Sequence, residues 1–296
     1  MTRFAVVIPA RNAEATLRAA LESVVAQTRG DWRAVVVDDD STDGTRALAE
    51  KFGDPRVAVV GGPGRGASAA RNLGVAETSS PILAFLDADD IWAPTKLEAT
   101  ARAIRKGADA AFGRVSFFGA DPARPTARSA GAAGPVALSR LAGENPTCTM
   151  SNVAVTRAAF ERTGGFDEAL THAEDLEWLI RLVGGGASLV GIAETLCHYR
   201  RSEGGLSSDL GAMRRGHAAA LAAAARAGHP AGPEAEAIQL RYLARRALRL
   251  GRDPRCARAY ALRGLRLAPS AFLRPLHRGL PTLAAALAAP HLPRRP

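Results

Sequence analysis

The chain has 296 residues, of which 47% are hydrophobic and 23% charged, and this composition excludes global disorder and allows a sizeable core. No apolar run approaches the roughly 20 residues of a membrane span, and the N-terminus shows no signal-peptide pattern. Three widely spaced cysteines exclude a disulfide framework and a cysteine-based zinc site, so we expect a cytoplasmic protein.

The formal net charge of +10 is distributed unevenly along the chain. Residues 1–210 carry 23 basic and 26 acidic side chains, whereas residues 211–296 carry 16 arginines, no lysine and three acids. Such an asymmetry indicates two regions with different partners. We therefore predict one domain over 1–210 and a basic, helical extension rich in alanine, arginine and leucine over 211–296.

The first hundred residues alternate apolar strand patterns with amphipathic helix patterns. Asn12 is a candidate cap for the first helix, and Ser41 or Thr42 for the second. This order predicts an α/β fold with a mostly parallel sheet flanked by helices, in which ligands bind beyond the carboxyl ends of the strands. The predicted strands lie at 4–9, 34–37, 57–60 and 82–86, and the later helices at 42–51, 67–76 and 94–106.

The rest of the chain is less regular. Proline, alanine and glycine dominate 121–135, which is therefore predicted to be a loop. The apolar run at 283–289 is short and lies between Pro281 and Pro290. Strands are predicted at 110–118, 149–155, 187–192 and 195–199, and helices at 157–163, 173–183, 212–227, 234–250 and 254–268.

The sequence Asp87-Ala88-Asp89 directly follows a buried strand. Carboxylates at i and i+2 of an extended strand end converge on one hard cation, and Mg²⁺ or Mn²⁺ favours carboxylate oxygens together with substrate phosphates. The alternative is a solvated acidic turn, because a D-x-D alone is common. The position at a strand end favours a functional role.

Three consecutive carboxylates, Asp38 to Asp40, follow the second strand. Helix capping by Ser41 or Thr42 explains the acid at Asp43. It does not explain three acids crowded at a strand end, where their repulsion is costly without a partner. A carboxylate there is suited to accept a hydrogen bond from a nucleobase N–H.

The third strand is followed by a glycine loop in which Gly64, Gly66 and Ala69 fit G-x-G-x-x-A, the fingerprint of dinucleotide-binding folds. An NAD(P)-dependent oxidoreductase is therefore the alternative function. Two observations count against it. The fingerprint belongs on a first strand-helix unit, and Arg65 and Arg71 beside the loop better suit direct phosphate binding.

Glu174 and Asp175 open a predicted helix. Either carboxylate suits a general base that reaches an acceptor hydroxyl, although on this segment alone compensation of the helix dipole is the better explanation of both acids. His198 is a candidate metal ligand, but a lone histidine is more often structural.

Six segments occur in one order and together resemble the family 2 glycosyltransferases with a GT-A fold. The resemblance covers about residues 3–205. One departure is Asp40, where the family usually has glycine; it tightens the turn and leaves the acids in place. The segments are VVIPARNAEATLRAALESVVAQT, VVVDDDSTDGT, GRGASAARNLGV, ILAFLDADDIW, GGFDE and AEDLEWLIRL.

The resemblance implies roles for individual residues. Asp175 matches the catalytic base, and Asp87 and Asp89 match the D-x-D that holds the ribose and the metal-diphosphate. His198 is a further candidate metal ligand on its residue type alone. The donor-binding positions are Pro9, Arg11, Asp39, Arg71 and Asp87, and the acceptor-side positions are Gly165, Phe166 and Glu174.

The implied activity is inverting transfer of a sugar from a nucleotide-diphosphate donor, a UDP-sugar, to a hydroxyl of a saccharide or lipid-linked acceptor, with Mn²⁺ or Mg²⁺ as cofactor. Such a reaction fits surface polysaccharide or lipid-linked glycan synthesis. The extension either docks peripherally on the inner face of a membrane or packs and self-associates as helices. Nucleic acid is not an expected partner, because aromatic residues for base stacking are sparse. A non-catalytic adaptor protein is a third alternative. The acids at 38–40, 87–89 and 174–175 count against it, because a scaffold does not need them.

Overall fold

The structure, a computed structural model, describes residues 3–129, 133–201, 209–226, 228–251 and 253–291. The chain forms two compact units. The first, which we name the sheet unit, comprises Met1–Val136 and Pro146–Ser202. The second, which we name the helical unit, comprises Ala137–Asn145 and Glu203–Pro296.

The described part of the sheet unit contains one sheet of ten strands. The strands are β1 (Phe4–Ala10), β2 (Trp32–Asp38), β3 (Val57–Gly61), β4 (Ile82–Phe85), β5 (Ile91–Trp92), β6 (Ala110–Phe118), β7 (Ala127–Arg128), β8 (Gly134–Pro135), β9 (Val153–Thr156) and β10 (Leu189–Arg200). Their order is β3-β2-β1-β4-β9-β6-β10-β5, with β7 paired to β6 and β8 to β10.

The first four strands in this order are parallel, as the alternating pattern predicts. β9 is antiparallel to both of its neighbours, whereas β10 runs parallel to β6. The helices of this unit are α1 (Leu17–Val25), α2 (Thr45–Glu50), α3 (Ala67–Ala76), α4 (Lys96–Arg105), α6 (Arg157–Arg162) and α7 (Glu174–Gly184). The predicted α/β fold with a helix-flanked sheet is confirmed.

The central strands are buried on both faces, which is why their sequences are continuous apolar runs. On one face, Phe4 and Ile8 of β1 belong to a core that includes Leu17 and Leu21 of α1. On the other face, α3 packs so closely that a Cβ on Gly74 would lie 2.5 Å from Val7 Cγ1. Helices therefore cover both sides of β1 and hold its carboxyl end in place.

The predicted cap role of Asn12 is wrong. Helix α1 begins at Leu17, and Asn12 lies in a left-handed conformation with φ of 49°. Its side-chain oxygen accepts the N–H of Thr42 at 2.8 Å, and its own N–H donates to Ser41 Oγ at 3.0 Å. Because these contacts occupy Ser41 and Thr42, α2 begins only at Thr45. Asn12 thus joins the loops that follow β1 and β2.

Other elements also differ from prediction, and the loop predicted over 121–135 contains the two-residue strands β7 and β8. The segments 187–192 and 195–199 form one strand, β10, with irregular register on β6 between Gly191 and Cys197. The predicted strand at 149–155 begins as a short 3-10 helix, Met150–Asn152, before β9. Periodicity cannot separate these alternatives, since both contain short apolar runs.

The helical unit contains α5 (Leu138–Gly143), α8 (Leu210–Arg226), α9 (Pro233–Arg249), α10 (Pro254–Leu267), α11 (Pro269–Leu273) and α12 (Leu276–Ala288), followed by a 3-10 turn, Ala289–His291. The three predicted helices correspond to α8, α9 and α10. The sequence did not indicate α5, α11 and α12, and Pro281 lies inside α12 instead of bounding an apolar run. Among the described residues, no helix has the length and apolarity to cross a bilayer.

Arg241 of α9 is buried, which is unusual for an arginine. Its guanidinium donates to the carbonyl oxygens of Ala271 and Phe272 at 3.1 and 3.0 Å, and also to that of Arg274. These carbonyls at the end of α11 would otherwise be unsatisfied. Arg241 therefore fixes the chain between α11 and α12.

Candidate functional site

The carboxyl ends of β2, β1 and β4 lie side by side at one edge of the sheet. Ala10 is paired with Asp38, and the N–H of Asp39 donates to Ala10 O at 2.8 Å. Arg11 is exposed immediately after β1, and Pro9 is half-buried within it. Parallel pairing thus brings the Asp38–Asp40 cluster beside Pro9 and Arg11, from segments far apart in sequence.

Asp39 is 2% exposed and holds the glycine loop after β3. Its two carboxylate oxygens accept the N–H groups of Gly64 at 2.8 Å and Gly66 at 2.7 Å. A Cβ on Gly62 would lie 2.9 Å from Asp39 Cα, so only glycine allows this approach. The amides that would bind a pyrophosphate are used by Asp39, and β3 is an edge strand. Both facts disfavour the dinucleotide interpretation.

Asp40 occupies the position where the similar family usually has glycine, and its φ is 62°. The left-handed region costs an L-residue about 1–2 kcal/mol, and somewhat less for aspartate. We expect Asp40→Gly to raise the free energy of unfolding by about 0.5–1 kcal/mol, measured by urea denaturation. Asp121→Gly, at an exposed loop position without a positive φ, is the control and should not stabilise. Equal or lower stability of Asp40→Gly would contradict the strain.

Arg71 of α3 joins two predicted functional segments. Its Nη2 donates to Asp87 Oδ1 at 2.6 Å, and its Nη1 donates to Glu174 Oε1 at 3.0 Å. The guanidinium is buried and lies 5.6 Å from the centre of the Phe166 ring. Burial opposes its charge, but the charges of Asp87 and Glu174 outweigh burial and raise the pKa of Arg71. Arg71 therefore connects the end of β4 to the start of α7.

Asp87 is held by two further hydrogen bonds. Its Oδ2 accepts the hydroxyl of Thr149 at 3.1 Å, and its N–H donates to Ser151 Oγ at 3.0 Å. The Ser151 hydroxyl in turn donates to Asp90 at 2.6 Å. Burial raises the pKa of Asp87, but the charge and hydrogen bond of Arg71 outweigh burial and lower it overall. Asp87 is thus ionised and fixed.

Thr149 and Ser151 were not predicted as functional residues. Thr149 caps the 3-10 turn before β9 and Ser151 lies within it, in a region whose sequence shows no regular period. Lys96 supports the same turn, because its buried Nζ donates to the carbonyl of Asn152. Burial lowers the pKa of Lys96 to about 7. The hydroxyl residues at two alternate positions, Thr149 and Ser151, are the one feature of the sequence from which their role could have been inferred.

Asp89 is exposed, whereas its neighbours Ala88 and Asp90 are buried. Desolvation of the carboxyl group, followed by the charge of Asp87, raises its pKa to about 6. Desolvation, together with both neighbouring acids, also raises the pKa of buried Asp90. Desolvation and mutual repulsion therefore disfavour ionisation of the acids at this end of β4, and a bound cation would relieve both effects.

Asp175 lies in the first turn of α7, directly after Glu174. Its Oδ1 accepts the N–H of Leu176 at 2.7 Å. Desolvation is the main cause, and the charge of Glu174 the second, of a pKa raised to about 7. The preceding residue, Ala173, has φ of 59°, a left-handed conformation that is costly for alanine. Asp175 is therefore poised to exchange a proton near neutral pH.

Gly165 and Phe166 are both buried. Phe166 packs against the rings of Phe85, Phe160 and Trp178. Asn72 holds the turn, since its side chain accepts the N–H of Phe166 at 2.9 Å and donates to its carbonyl at 3.0 Å. Asn72 follows Arg71 on α3 and was not predicted. The acceptor-side role of these residues stays a prediction.

His198 pairs with Ile91 at the sheet edge, and its Nδ1 is 2.7 Å from Ser116 Oγ. Burial lowers its pKa. Within the described ranges, no group of three or more His, Cys, Asp and Glu side chains is arranged to hold a metal. His198 is therefore not gathered with Asp87 and Asp89 into a three-ligand site. Arg200, two residues on, donates from Nε to the carbonyl of Asp89 at 3.0 Å.

Comparisons with known proteins give consistent findings. WfgD of Escherichia coli, described as a UDP-Glc:alpha-D-GlcNAc-diphosphoundecaprenol beta-1,3-glucosyltransferase, is 42% identical over 94 residues, which are 31% of this chain and 37% of WfgD. ExoO of Rhizobium meliloti, a succinoglycan biosynthesis protein, is 32% identical over 236 residues, which are 74% of this chain and 65% of ExoO. The chain thus spans only about a third of WfgD and less than two thirds of ExoO.

The fold is similar to that of S. aureus TarS 1-349 in complex with UDP. The TM-score is 0.63 at 18% identity, and the match covers 98% of this chain and 91% of the TarS chain. A second TarS structure, in complex with UDP-GlcNAc, matches with the same TM-score of 0.63. Residues 5–164, more than half of the chain, match the family described as Glycosyl transferase family 2. The chain therefore belongs to glycosyl transferase family 2.

Proposed function

We propose that this protein transfers a sugar from a UDP-sugar to a hydroxyl of a saccharide or lipid-linked acceptor, with inversion at the anomeric carbon and with a divalent cation. Family membership supports the reaction class. TarS structures contain UDP and UDP-GlcNAc, and WfgD is described as acting on a diphosphoundecaprenol acceptor. These descriptions belong to those proteins and support the donor and acceptor classes proposed here.

The bridge formed by Arg71 is the observation that carries the proposal. Asp87 lies on the donor side in the proposed arrangement, and Glu174 adjoins the proposed base, Asp175. One buried guanidinium binds both Asp87 and Glu174, at 2.6 and 3.0 Å. A single-displacement transfer needs the donor and the base within one pocket, because the reacting atoms must be aligned. The Arg71 bridge supplies that proximity.

In the proposed arrangement, two acids bind different parts of the nucleotide donor. Asp39, beside Pro9 and Arg11, faces the nucleobase in the proposal, and Asp87 binds the ribose. Asp38 Oδ1 and Arg71 Nε are buried without a hydrogen-bond partner among the residues described, so this region has polar atoms that a nucleotide can satisfy.

The cation would be held chiefly by Asp89. Asp87 is already committed to Arg71 and Thr149, whereas Asp89 has an exposed position and a raised pKa of about 6. Mg²⁺ and Mn²⁺ bind through one or two carboxylates plus substrate phosphates, so these oxygen donors fit such an ion. When bound, the ion offsets the charge that develops on the departing diphosphate.

Asp175 acts as the general base. In the proposed step its carboxylate takes the proton of the acceptor hydroxyl while that oxygen forms a bond to the anomeric carbon. The bond from the anomeric carbon to the diphosphate oxygen breaks, and the nucleoside diphosphate leaves with the electron pair. Attack from the opposite side to the leaving group inverts the centre. Gly165, Phe166 and Glu174 support the acceptor side.

The test is a panel of nucleotide-sugars assayed for acceptor-dependent release of nucleoside diphosphate, with Mn²⁺ and with Mg²⁺. Saccharides and a lipid-diphosphate sugar serve as acceptors. We expect UDP release with at least one UDP-sugar, and product analysis by NMR should show inversion. NAD(P) binding in calorimetry together with no release from any donor would overturn the proposal.

We expect Asp89→Ala to abolish the cation-dependent part of donor binding, because it removes the carboxylate that would chiefly hold the ion. Affinity for UDP in the presence of Mn²⁺ should fall about 10²-fold in calorimetry. Asp121→Ala, which removes an exposed loop acid, should bind as the wild type does. Equal UDP affinity of the wild-type protein with and without Mn²⁺ would contradict the role.

Region 211–296 is proposed to make a peripheral membrane contact. Its 16 arginines against three acids favour an anionic surface. Self-association through the same region is the competing outcome.

A further inference from the structure

The outer side of α12 is apolar. Leu276, Leu280 and Leu287 are 57%, 51% and 39% exposed, which is high for leucine. At about 100° per residue, the three lie within about 40° of one another around the helix. Gly279, Thr282 and Ala286 are the buried positions of the same helix. α12 therefore packs on the helical unit through its small residues and presents its leucines outward.

Exposed leucines are concentrated at this end of the chain. The described residues include five exposed large hydrophobic side chains, and four of these lie between 267 and 287. Single exposed apolar residues are ordinary on protein surfaces, whereas an aligned set marks an interaction surface. We name Leu276, Leu280 and Leu287 the α12 leucine face.

The segment that contains this face carries charges of one sign in the sequence, although two of its arginines, Arg263 and Arg278, pair with Glu236 and Glu144 from earlier in the chain. The 43 residues after Asp253 contain eight arginines and no aspartate or glutamate. Arg255, Arg258 and Arg266 of α10 are exposed, and within the described chain they form no ion pair. Arg274, just before α12, is exposed as well. The leucine face thus belongs to a segment that attracts anions only.

We propose that the α12 leucine face inserts into the interfacial region of an anionic lipid bilayer, with the arginines of 255–274 contacting lipid phosphates. An amphipathic helix with exposed leucines and basic neighbours binds such a surface through apolar burial and electrostatic attraction together. The proposal names the surface for the membrane contact proposed above for 211–296 and rests on it. It does not depend on the transferase activity.

Other occupants account for only part of this surface. A second copy of the chain would bring the same acid-free, arginine-rich segment against itself in a two-fold interface, without acids to neutralise it. A nucleic acid would contact the arginines and leave the leucines in water. A bilayer with anionic headgroups uses both the leucines and the arginines.

The test is co-sedimentation of the full-length protein with phosphatidylcholine vesicles that contain either no phosphatidylglycerol or about 30% of it. We expect binding to the anionic vesicles, weakened by high salt. Leu276→Glu/Leu280→Glu should bind these vesicles at least about tenfold more weakly. The matched control is Ala218→Glu/Ala222→Glu, which adds the same charge at exposed i,i+4 positions of α8 and should keep most of the binding.

Each other outcome has a defined meaning. If the wild-type protein does not bind anionic vesicles, the membrane proposal for 211–296 fails as well. If both double variants lose binding equally, the attraction is purely electrostatic and the leucine face is not the contact. If light scattering shows a wild-type dimer that only the leucine variant disrupts, the face is a self-association surface and the proposal is overturned. UDP release measured on the same samples reports separately on the transferase proposal.

Discussion

Replacing Asp175 with asparagine should reduce the rate of sugar transfer by about 10²–10⁴-fold. The amide has nearly the shape of the carboxyl group but cannot take the proton of the acceptor hydroxyl. Asp175 does not contact the donor in the proposed arrangement, so affinity for UDP should change little. The measurements are single-turnover transfer and calorimetric binding of UDP. The exposed Asp121→Asn is the control and should retain wild-type rates.

The pH dependence provides an independent check on the same residue. The base must be ionised to act, and burial with the nearby Glu174 raises the pKa of Asp175 to about 7. The wild-type kcat/KM should therefore rise with pH up to about 7 and then level off. The residual kcat/KM of Asp175→Asn should not show this rise with pH. A wild-type profile that is flat from pH 5 to 8 would exclude Asp175 as the base.

The free energy of unfolding of Asp175→Asn shows whether a loss of activity comes from lost catalysis or from lost folding. A carboxyl group whose folded pKa is raised contributes stability that is fully present below its unfolded pKa and is lost as the pH rises through the folded value. For Asp175 the loss occurs between about 4 and 7. Asp175→Asn should therefore be at least as stable as the wild type at pH 8. A marked destabilisation there would mean that the carboxylate has a structural role.

Replacing Arg71 with alanine should destabilise the fold by about 3–5 kcal/mol in urea denaturation, because it leaves Asp87 and Glu174 as partly buried carboxylates without their cation. The side chains of these acids are only 26% and 19% exposed, so water replaces little of the lost interaction. Donor affinity should fall as well, since Asp87 loses a partner at 2.6 Å.

Two comparisons sharpen this expectation. Arg46→Ala removes an exposed ion pair with Glu50, in which both side chains are about half exposed, and should change stability by no more than about 0.5 kcal/mol. In the wild type, Arg71 keeps the pKa of Asp87 below its usual value despite burial. The stability that the Arg71–Asp87 ion pair contributes is therefore lost as the pH falls through this lowered pKa. A cost for Arg71→Ala that equals that of Arg46→Ala would show that the bridge has no energetic weight.

The fold was predictable where burial dictates a periodicity. Strands such as β1 and β2 are covered on both faces, so their sequences are apolar until the strand ends, except for the exposed Arg33 near the start of β2. The helix beginnings were less predictable, because Asn12, Ser41 and Thr42 bond to one another across two loops instead of capping. Such pairing depends on which strands become neighbours, and local sequence does not encode that. Helices α11 and α12 were missed since prolines interrupt their pattern.

The candidate site divides in the same way. The acids at the ends of β2 and β4 and at the start of α7 were recognisable, because carboxylates at strand ends and helix starts stand out locally. Thr149, Ser151 and Asn72 were not, since a hydroxyl or amide becomes meaningful only through the group it contacts. The dinucleotide fingerprint was misleading for this reason: its glycines match the pattern, yet their amides donate to Asp39.

By itself the amino-acid sequence determined the fold class, the positions of the acids and the separation of a near-neutral region from an arginine-rich one, because burial and charge are recorded residue by residue. Only the tertiary structure decided which groups share one environment: that Arg71 spans Asp87 and Glu174, that desolvation raises the pKa of Asp175, and that the leucines of α12 lie on one exposed face. Hydrogen bonds and desolvation act over a few ångströms, and folding alone brings residues a hundred positions apart within that range.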